Sequence, residues 1–331
     1  MSTSKKILII RFSAIGDIVL TTPVLRCIAQ QRPDIEIHYL TKPNFVFILQ
    51  NNPYIYQIHS LQQSIWATVQ QLKAYNFDYI IDLHHNQRTL LFKCLLRKST
   101  TSFNKLNFEK FLATQFHYIN RLPNVHIVDR YMVAVASLQV RNDHAGLDYH
   151  IPADQEVAIS EHFPALRNQN YIALVIGAAH STKRLPTAQL IELAAKIQLA
   201  VIILGGKDDL PTAEAIHAAL PHLHNACGKF SLHQSASIVR QAHKVVAHDT
   251  GLMHIAAAFC RPIAVIWGNT IPEFGMYPYY PTNTAVPYFS AEVNNLSCRP
   301  CSKIGYNNCP KKHFRCMTAH DLQAIATWVN S

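Results

Sequence analysis

Apolar residues gather along the chain in runs of four to six, and most runs stop at a glycine or a polar cluster. In the first half, residues 7–10, 35–40 and 79–83 are such runs, and they read as strands buried on both faces. Between them the apolar spacing lengthens to three and four. Residues 18–30 carry Ile18, Leu25, Ile28 and Ala29 near helical spacing, with Pro23 either in an early turn or kinking the helix. A short helix is predicted over 45–50, stopped by Asn51, Asn52 and Pro53. Another is predicted over 64–75, with Ile65, Val69 and Leu72 on one face. Residues 99–120 are less regular, and a helix resumes over 128–140. Residues 148–170, with Pro152 and Pro164, read as a domain boundary holding one short helix.

The second half restarts the alternation. Strands are predicted over 171–176, 200–204, 244–247 and 263–267, and helices over 187–197, 210–220, 252–260 and 321–329. Strand alternating with helix implies an α/β fold of parallel sheets covered by helices. Gly16, Gly177, Gly205, Gly206, Gly251 and Gly268 each lie just past an apolar run. Open sheets of this kind bind ligands outside the carboxyl ends of their strands. Glycine there allows close backbone approach, so a ligand cleft between two Rossmann-like domains is expected.

The chain has 331 residues, of which 49% are hydrophobic and 15% charged, a balance that excludes a disordered chain. No window supplies the run of about 18 apolar residues that a membrane span needs. The stretch from Met1 to Lys6 is followed by only a short apolar run before Arg11, so no secretory signal is expected and the chain is placed in the cytoplasm. A net charge of +10 favours an anionic partner: nucleic acid, a phosphorylated substrate or an anionic membrane surface. The basic residues are dispersed and no nucleic-acid module is present, so nucleic acid is not expected among the partners.

Two nucleotide signatures are missing, GxGxxG after the first strand and GxxxxGK[ST], which argues against a dinucleotide dehydrogenase and a P-loop NTPase. A GxSxG nucleophile elbow is missing as well. His248-Asp249-Thr250-Gly251-Leu252-Met253-His254 lies between a strand and an apolar helix. A helix N-terminus there offers free N–H groups to a diphosphate, although Asp249 or Thr250 could equally cap the helix. Lys183 and Arg184, beside Ser181 and Thr182 past another strand, suit a phosphate leaving group. Asp208 or Asp209, after Gly205 and Gly206, could meet ribose hydroxyls or cap the next helix. Asp17 could deprotonate a hydroxyl nucleophile, or serve as a helix cap.

Four of the eight cysteines are scattered, and Cys27, Cys94, Cys227 and Cys260 read as small apolar residues. The other four, Cys298, Cys301, Cys309 and Cys316, cluster near the end. A structural zinc ion on these four thiolates is one reading, and a local thiol cluster or an adventitious disulfide is the other.

Several of these stretches resemble the family-nine glycosyltransferases, the lipopolysaccharide heptosyltransferases. Residues 11–17 (Arg11, Phe12, Ser13, Ala14, Ile15, Gly16, Asp17) with Pro23 are similar to the family's N-terminal signature. Residues 82–88 resemble its second motif. Residues 248–254, followed by Pro262 and by Trp267, Gly268, Asn269 and Thr270, resemble its donor-site signature, and residues 298–317 its cysteine-rich tail. The likeness covers nearly the whole chain in order. One departure is that Arg184 and Leu185 follow Lys183 where the family pattern has an aromatic residue.

The resemblance implies a GT-B fold, with two Rossmann-like domains whose parallel sheets face a central cleft. An acceptor-binding domain is expected over 1–155 and a nucleotide-sugar domain over 165–318, with the terminal helix, 319–331, packing back on the first. ADP-heptose is implied as donor and inner-core lipopolysaccharide as acceptor, with inversion at the anomeric carbon. Asp17 is then the general base, and Lys183 stabilises the departing diphosphate. Thr182, Arg184, Asp208, Asp209, Asp249, Thr250, Gly251, Leu252 and His254 fall on the donor side. Ser13, Gly16 and Arg88 fall on the acceptor side, together with the basic-aromatic stretch around Lys105 and Lys110. No cofactor is required, although Mg²⁺ is compatible. A monomer attached peripherally to the inner face of the cytoplasmic membrane is expected. Competing readings are a transferase or epimerase using another nucleotide sugar, and a non-catalytic protein that binds nucleotide or lipopolysaccharide.

Overall fold

The computed structural model describes residues 4–331. The chain forms two compact units. One holds Met1–Asn107 and Val125–His150, and the other Phe108–Asn124 and Ile151–Ser331. The predicted break inside 148–170 therefore falls at residue 150. A second excursion, Phe108–Asn124, was not anticipated: it leaves the first unit's sequence to join the second. There Ala113 and Leu122 bury against Ile271 and Phe274, and the Lys110 ammonium lies 5.5 Å from the centre of the Phe274 ring.

The first unit carries β1 (Lys5–Ile10), β2 (Ile35–Thr41), β3 (Gln57–Ser60), β4 (Tyr79–Asp82) and β5 (Ser99–Ser102) in the order β3-β2-β1-β4-β5. The second carries β6 (Tyr171–Val175), β7 (Ala200–Leu204), β8 (His224–Asn225), β9 (Lys244–His248), β10 (Ile263–Ile266) and β11 (Tyr288–Ala291) in the order β11-β10-β9-β6-β7-β8. Every pairing is parallel. Counted from the first strand of each unit, the orders are 3-2-1-4-5 and 3-2-1-4-5-6, both Rossmann-like, so the strand order of each sheet reverses beside its first strand.

The central strands are the apolar runs that the sequence marks. β6 and β9 are buried throughout, and Ile7 to Ile10 of β1 are fully buried. Each sheet is the spine of its own core. Leu8, Ile10 and Ile80 pack with Val69, Leu72 and Phe92 in one unit. Ile172, Leu174, Val201 and Val246 pack with Leu190, Leu193 and Ile216 in the other. Pro23 takes the early-turn option, in the first turn of a new helix, Thr22–Gln31, after Ile15–Val19 has ended.

The terminal helix corrects an expectation. Leu322–Asn330 does not pack on the first unit. Leu322, Ile325, Ala326 and Val329 are buried in the second unit's core, and the helix lies against Thr187–Ala195, β10 and β11. Lys244, at the start of β9, donates from Nζ to the Trp328 carbonyl at 2.8 Å and lies 4.9 Å from the Trp328 ring centre, pinning the helix's end.

Candidate active site

In the first unit, β1 runs into Arg11, Phe12 and Ser13 and then into the Ile15–Val19 helix. Arg11 is buried, and its guanidinium organises the turn. Nε donates to the Ser13 carbonyl at 2.8 Å, and Nη1 to the Leu83 carbonyl at 2.6 Å and the Tyr131 hydroxyl at 3.0 Å. Nη2 meets Asp17 Oδ1 at 2.7 Å. Burial opposes the Arg11 charge most strongly, yet Asp17, Tyr131 and Tyr39 together outweigh it and the Arg11 pKa is raised. Asp17 Oδ2 also accepts the Ala14 N–H at 3.1 Å. The helix-cap reading of Asp17 is thus realised, while its side chain keeps 23% exposure. Gly16 is buried in the first turn of this helix, and Ser13 is half-buried.

The strand next to β1 on its other side, β4, ends in Asp82. Its Oδ1 accepts the N–H groups of His84 and His85 at 3.0 and 2.6 Å, and Oδ2 pairs with Lys93 at 3.1 Å. Asn86 then starts the Gln87–Leu96 helix: its side chain accepts the Thr89 N–H at 2.9 Å, and Thr89 Oγ1 accepts the Asn86 N–H at 2.9 Å. This capping box turns residues 82–88 into a helix entrance. Arg88 is exposed in the first turn.

In the second unit the corresponding reversal lies between β6 and β9. Lys183 closes a single turn, Ser181–Lys183, after β6, and Asp249 directly follows β9. Lys183 Nζ meets Asp249 Oδ2 at 2.6 Å, and the Thr270 hydroxyl, past β10, donates to the same oxygen at 2.9 Å. Burial would raise the Asp249 pKa; Lys183, His254 and Thr270 instead bring it below the ordinary carboxylate range. Thr250 precedes the Gly251–Ala258 helix without a side-chain cap, and Asp249 is turned to Lys183, so neither residue caps it. The first turn of this helix is therefore without a side-chain cap from either residue. His254 is buried one turn on, behind Asp249. The resemblance places Thr270 in the donor-site stretch without a role, and the structure sets its hydroxyl on Asp249 from 21 residues away. Asn269 beside it is 1% exposed, and its amide oxygen and nitrogen have no partner among the described residues.

Several expected donor residues have internal work. Thr182 is buried. Its hydroxyl donates to the Tyr306 carbonyl at 3.1 Å and accepts the Tyr306 N–H at 2.8 Å, which ties the Lys183 turn to the cysteine-rich tail. Asp209 is buried, accepts the Gly206 N–H at 2.9 Å and pairs with Arg184 at 3.0 Å, so the cap reading describes it. Asp208 is exposed. Arg184 Nε donates to the Ala178 carbonyl at 2.7 Å. The glycines also divide. A Cβ at Gly177 would strike the Asp209 carboxylate, one at Gly205 would strike Cys227 Sγ, and one at Gly268 would strike the Thr182 carbonyl and Met317 Sδ. These three make room for the protein's own atoms, whereas Gly251 lies at the open helix start.

Cys298, Cys301, Cys309 and Cys316 are free thiols. Burial and the neighbouring thiols push Cys301 up to about 11 and Cys316 to about 12. Cys298 Sγ lies 3.6 Å from His313 Nε2. Among the described residues no group of three or more His, Cys, Asp or Glu side chains is arranged to hold a metal ion.

Lipopolysaccharide heptosyltransferase 1 of Campylobacter coli is 25% identical over 288 residues, 80% of this chain and 84% of that protein. Among solved structures, a glycosyl transferase family 9 protein from Veillonella parvula superposes with a TM-score of 0.75 at 18% identity, covering 99% of this chain and 96% of the other. An ADP-heptose lps heptosyltransferase II of E. coli gives 0.73 at 17% identity over 98% and 97%. The fold is GT-B, two parallel sheets with covering helices. Residues 65–307 match the family described as Glycosyltransferase family 9 (heptosyltransferase), and the chain belongs to that family of glycosyltransferases.

Proposed function

We propose that the protein transfers a heptose from ADP-heptose to the inner core of lipopolysaccharide with inversion at the anomeric carbon. The observation that carries this reading is the Lys183–Asp249–Thr270 cluster beside the uncapped start of the Gly251–Ala258 helix, at the strand reversal of the second sheet. A diphosphate there meets the Gly251 and Leu252 amides and the Lys183 ammonium, with Asp249 setting the lysine's position. Asp208, exposed past β7, is the acid available to the ribose. As the anomeric C–O bond to ADP breaks, negative charge grows on the diphosphate, and these groups stabilise it. The acceptor hydroxyl forms the new bond from the opposite face and passes its proton to Asp17. The transfer balances atoms and charge without a cofactor, and Mg²⁺ is compatible with it.

The family and the Campylobacter relative's name support this choice of sugar and acceptor. No helix among the described residues is long and apolar enough to cross a membrane. Peripheral attachment to an anionic cytoplasmic leaflet is supported by the net charge of +10 and by Phe108, Phe111, Phe116 and Tyr118, each at least half exposed. A donor screen with ADP-heptose and UDP-sugars on de-acylated core acceptors, read by mass spectrometry, tests the reading. ADP-heptose alone should add one heptose. Transfer from a UDP-sugar, or nucleotide binding without transfer, would reject it.

A further inference from the structure

Arg299 sits in the cysteine-rich tail, between Cys298 and Pro300, yet its side chain is only 8% exposed. Its guanidinium reaches the turn past β10. Nε donates to the Gly268 carbonyl at 2.8 Å, and Nη2 to the Thr270 carbonyl at 3.0 Å. Nη2 also meets Oε2 of Glu292, which directly follows β11, at 2.8 Å. The other carboxylate oxygen of Glu292 accepts the Ser290 hydroxyl at 2.9 Å. One side chain of the tail thus joins the ends of two neighbouring strands, β10 and β11.

Charge balance accounts for only part of this. A buried guanidinium needs a counter-ion, and Glu292 supplies it. The two carbonyl bonds do something else: they fix the peptides on both sides of Asn269. The Thr270 hydroxyl donates to Asp249 Oδ2 at 2.9 Å, and Lys183 Nζ meets that same oxygen at 2.6 Å. A hydrogen bond of that length is lost within a displacement of about 1 Å, so the Thr270 peptide has little latitude. A fork with N–H groups in fixed directions holds two carbonyls and a carboxylate together, whereas a lysine carries the charge without that spread. The same tail sets the buried Met317 against Gly268, and bonds Tyr306 to Thr182, the neighbour of Lys183. Both halves of the Lys183–Asp249 pair therefore lean on residues 299–317.

We propose that Arg299 is a positioning residue for the transfer. By clamping the Gly268 and Thr270 carbonyls it fixes the Thr270 hydroxyl on Asp249, and so sets where Asp249 holds the Lys183 ammonium against the departing diphosphate. This role rests on the transferase reading and adds to it a residue that acts through Thr270 and Asp249 without touching either substrate. Glu292 is the counter-ion that lets the clamp stay buried.

The test is a double-mutant cycle on a de-acylated core acceptor with Arg299→Lys and Thr270→Val. Arg299→Lys keeps the charge opposite Glu292 and loses the fork. Its kcat should fall about tenfold, while acceptor KM, ADP affinity by calorimetry and the melting temperature change little. Thr270→Val should lose a similar factor. The two together should lose no more than either alone, because both act through one hydroxyl. Where Arg299→Lys melts early, Arg299→Gln/Glu292→Gln, which buries no charge, replaces it in the same cycle. An unchanged kcat without the fork, or losses that multiply with Thr270→Val, overturns the clamp and leaves the transferase reading intact. If wild type transfers nothing to the core, the functional reading has failed instead. Hydrogen exchange by mass spectrometry then judges the clamp. Faster exchange in Arg299→Lys confined to residues 249–252 and 268–272 supports it, and unchanged or chain-wide exchange overturns it.

Discussion

Arg11 holds Asp17 at 2.7 Å and Lys183 holds Asp249 at 2.6 Å, so each proposed reaction centre contains one charge that acts and one that positions it. Replacing Asp17 by Asn keeps an oxygen for Arg11 but removes the proton acceptor. Turnover should fall about 10²- to 10⁴-fold with ADP affinity unchanged, as read by ADP release and calorimetry. Lys183→Met acts at the other end of the reaction. Loss of the leaving-group cation should lower kcat about 10²- to 10³-fold. It also leaves Asp249, 11% exposed, without its counter-ion, which should destabilise the fold by about 3 kcal/mol. Adding Asp249→Asn should restore most of the melting temperature and none of the rate. The sequence shows Asp17, Lys183 and Asp249 because each stands in a short polar motif just past an apolar strand. It does not show their partnerships. Lys183 and Asp249 are 66 residues apart and meet only because β6 and β9 are neighbours in the sheet.

The turn Ser181–Lys183 is too short to hold a lysine by its own hydrogen bonds, and the cysteine-rich tail supplies the hold. Thr182 exchanges side-chain and backbone hydrogen bonds with Tyr306. Gly305, at φ +126°, brings the tail against His180, and Gly268 admits the Thr182 carbonyl. Thr182→Val removes two of these bonds at nearly constant volume, a loss of about 1–3 kcal/mol of local order. We expect kcat to drop about tenfold with little change in donor KM, and Thr182→Ser to restore it; steady-state kinetics on the pair checks this. Elements were legible in the sequence where their burial was continuous. β1, β2, β4, β6, β7, β9 and β10 all lie on predicted apolar runs. Those missed have no such run: β3 and β5 are short and mostly polar, β8 is two residues long, and β11 is four residues with Ser290 among them. The Leu232–Gln241 helix buries His233, Ser235 and Ser237 along with Ala236, Ile238 and Val239, so its buried face does not read as an apolar stripe. The Gln87–Leu96 helix exposes Leu90 and Leu91, which blurs its pattern.

Both units bury histidines, and the whole molecule carries a net charge of +10, so acid acts on it in two ways. His38 and His59 are stacked inside the first unit, with Nδ1 of one 2.9 Å from Nε2 of the other. Burial, with His38 adding its charge, lowers His59 to about 4. In the second unit burial lowers His248 to about 3 and His320 to about 4, and His248 Nε2 accepts the Leu185 N–H in its neutral form. The ordinary value is 6.5. Below that value the unfolded chain binds protons that the folded chain refuses, so stability is full above pH 6.5 and is lost as pH falls towards 4. Each histidine at full effect contributes about 1.4 kcal/mol per pH unit. Self-repulsion of a basic protein also grows as pH falls, with the same sign. Salt separates the two causes, because it screens surface repulsion but not the desolvation of a buried imidazole. Unfolding by urea between pH 7.5 and 5 should therefore show a falling midpoint and net proton uptake on unfolding. Raising NaCl should leave most of the slope in place. His59→Phe, which fills the stacked position without a titrating group, should flatten it by up to one proton. A slope that vanished in high salt would assign acid sensitivity to net charge in place of the buried rings.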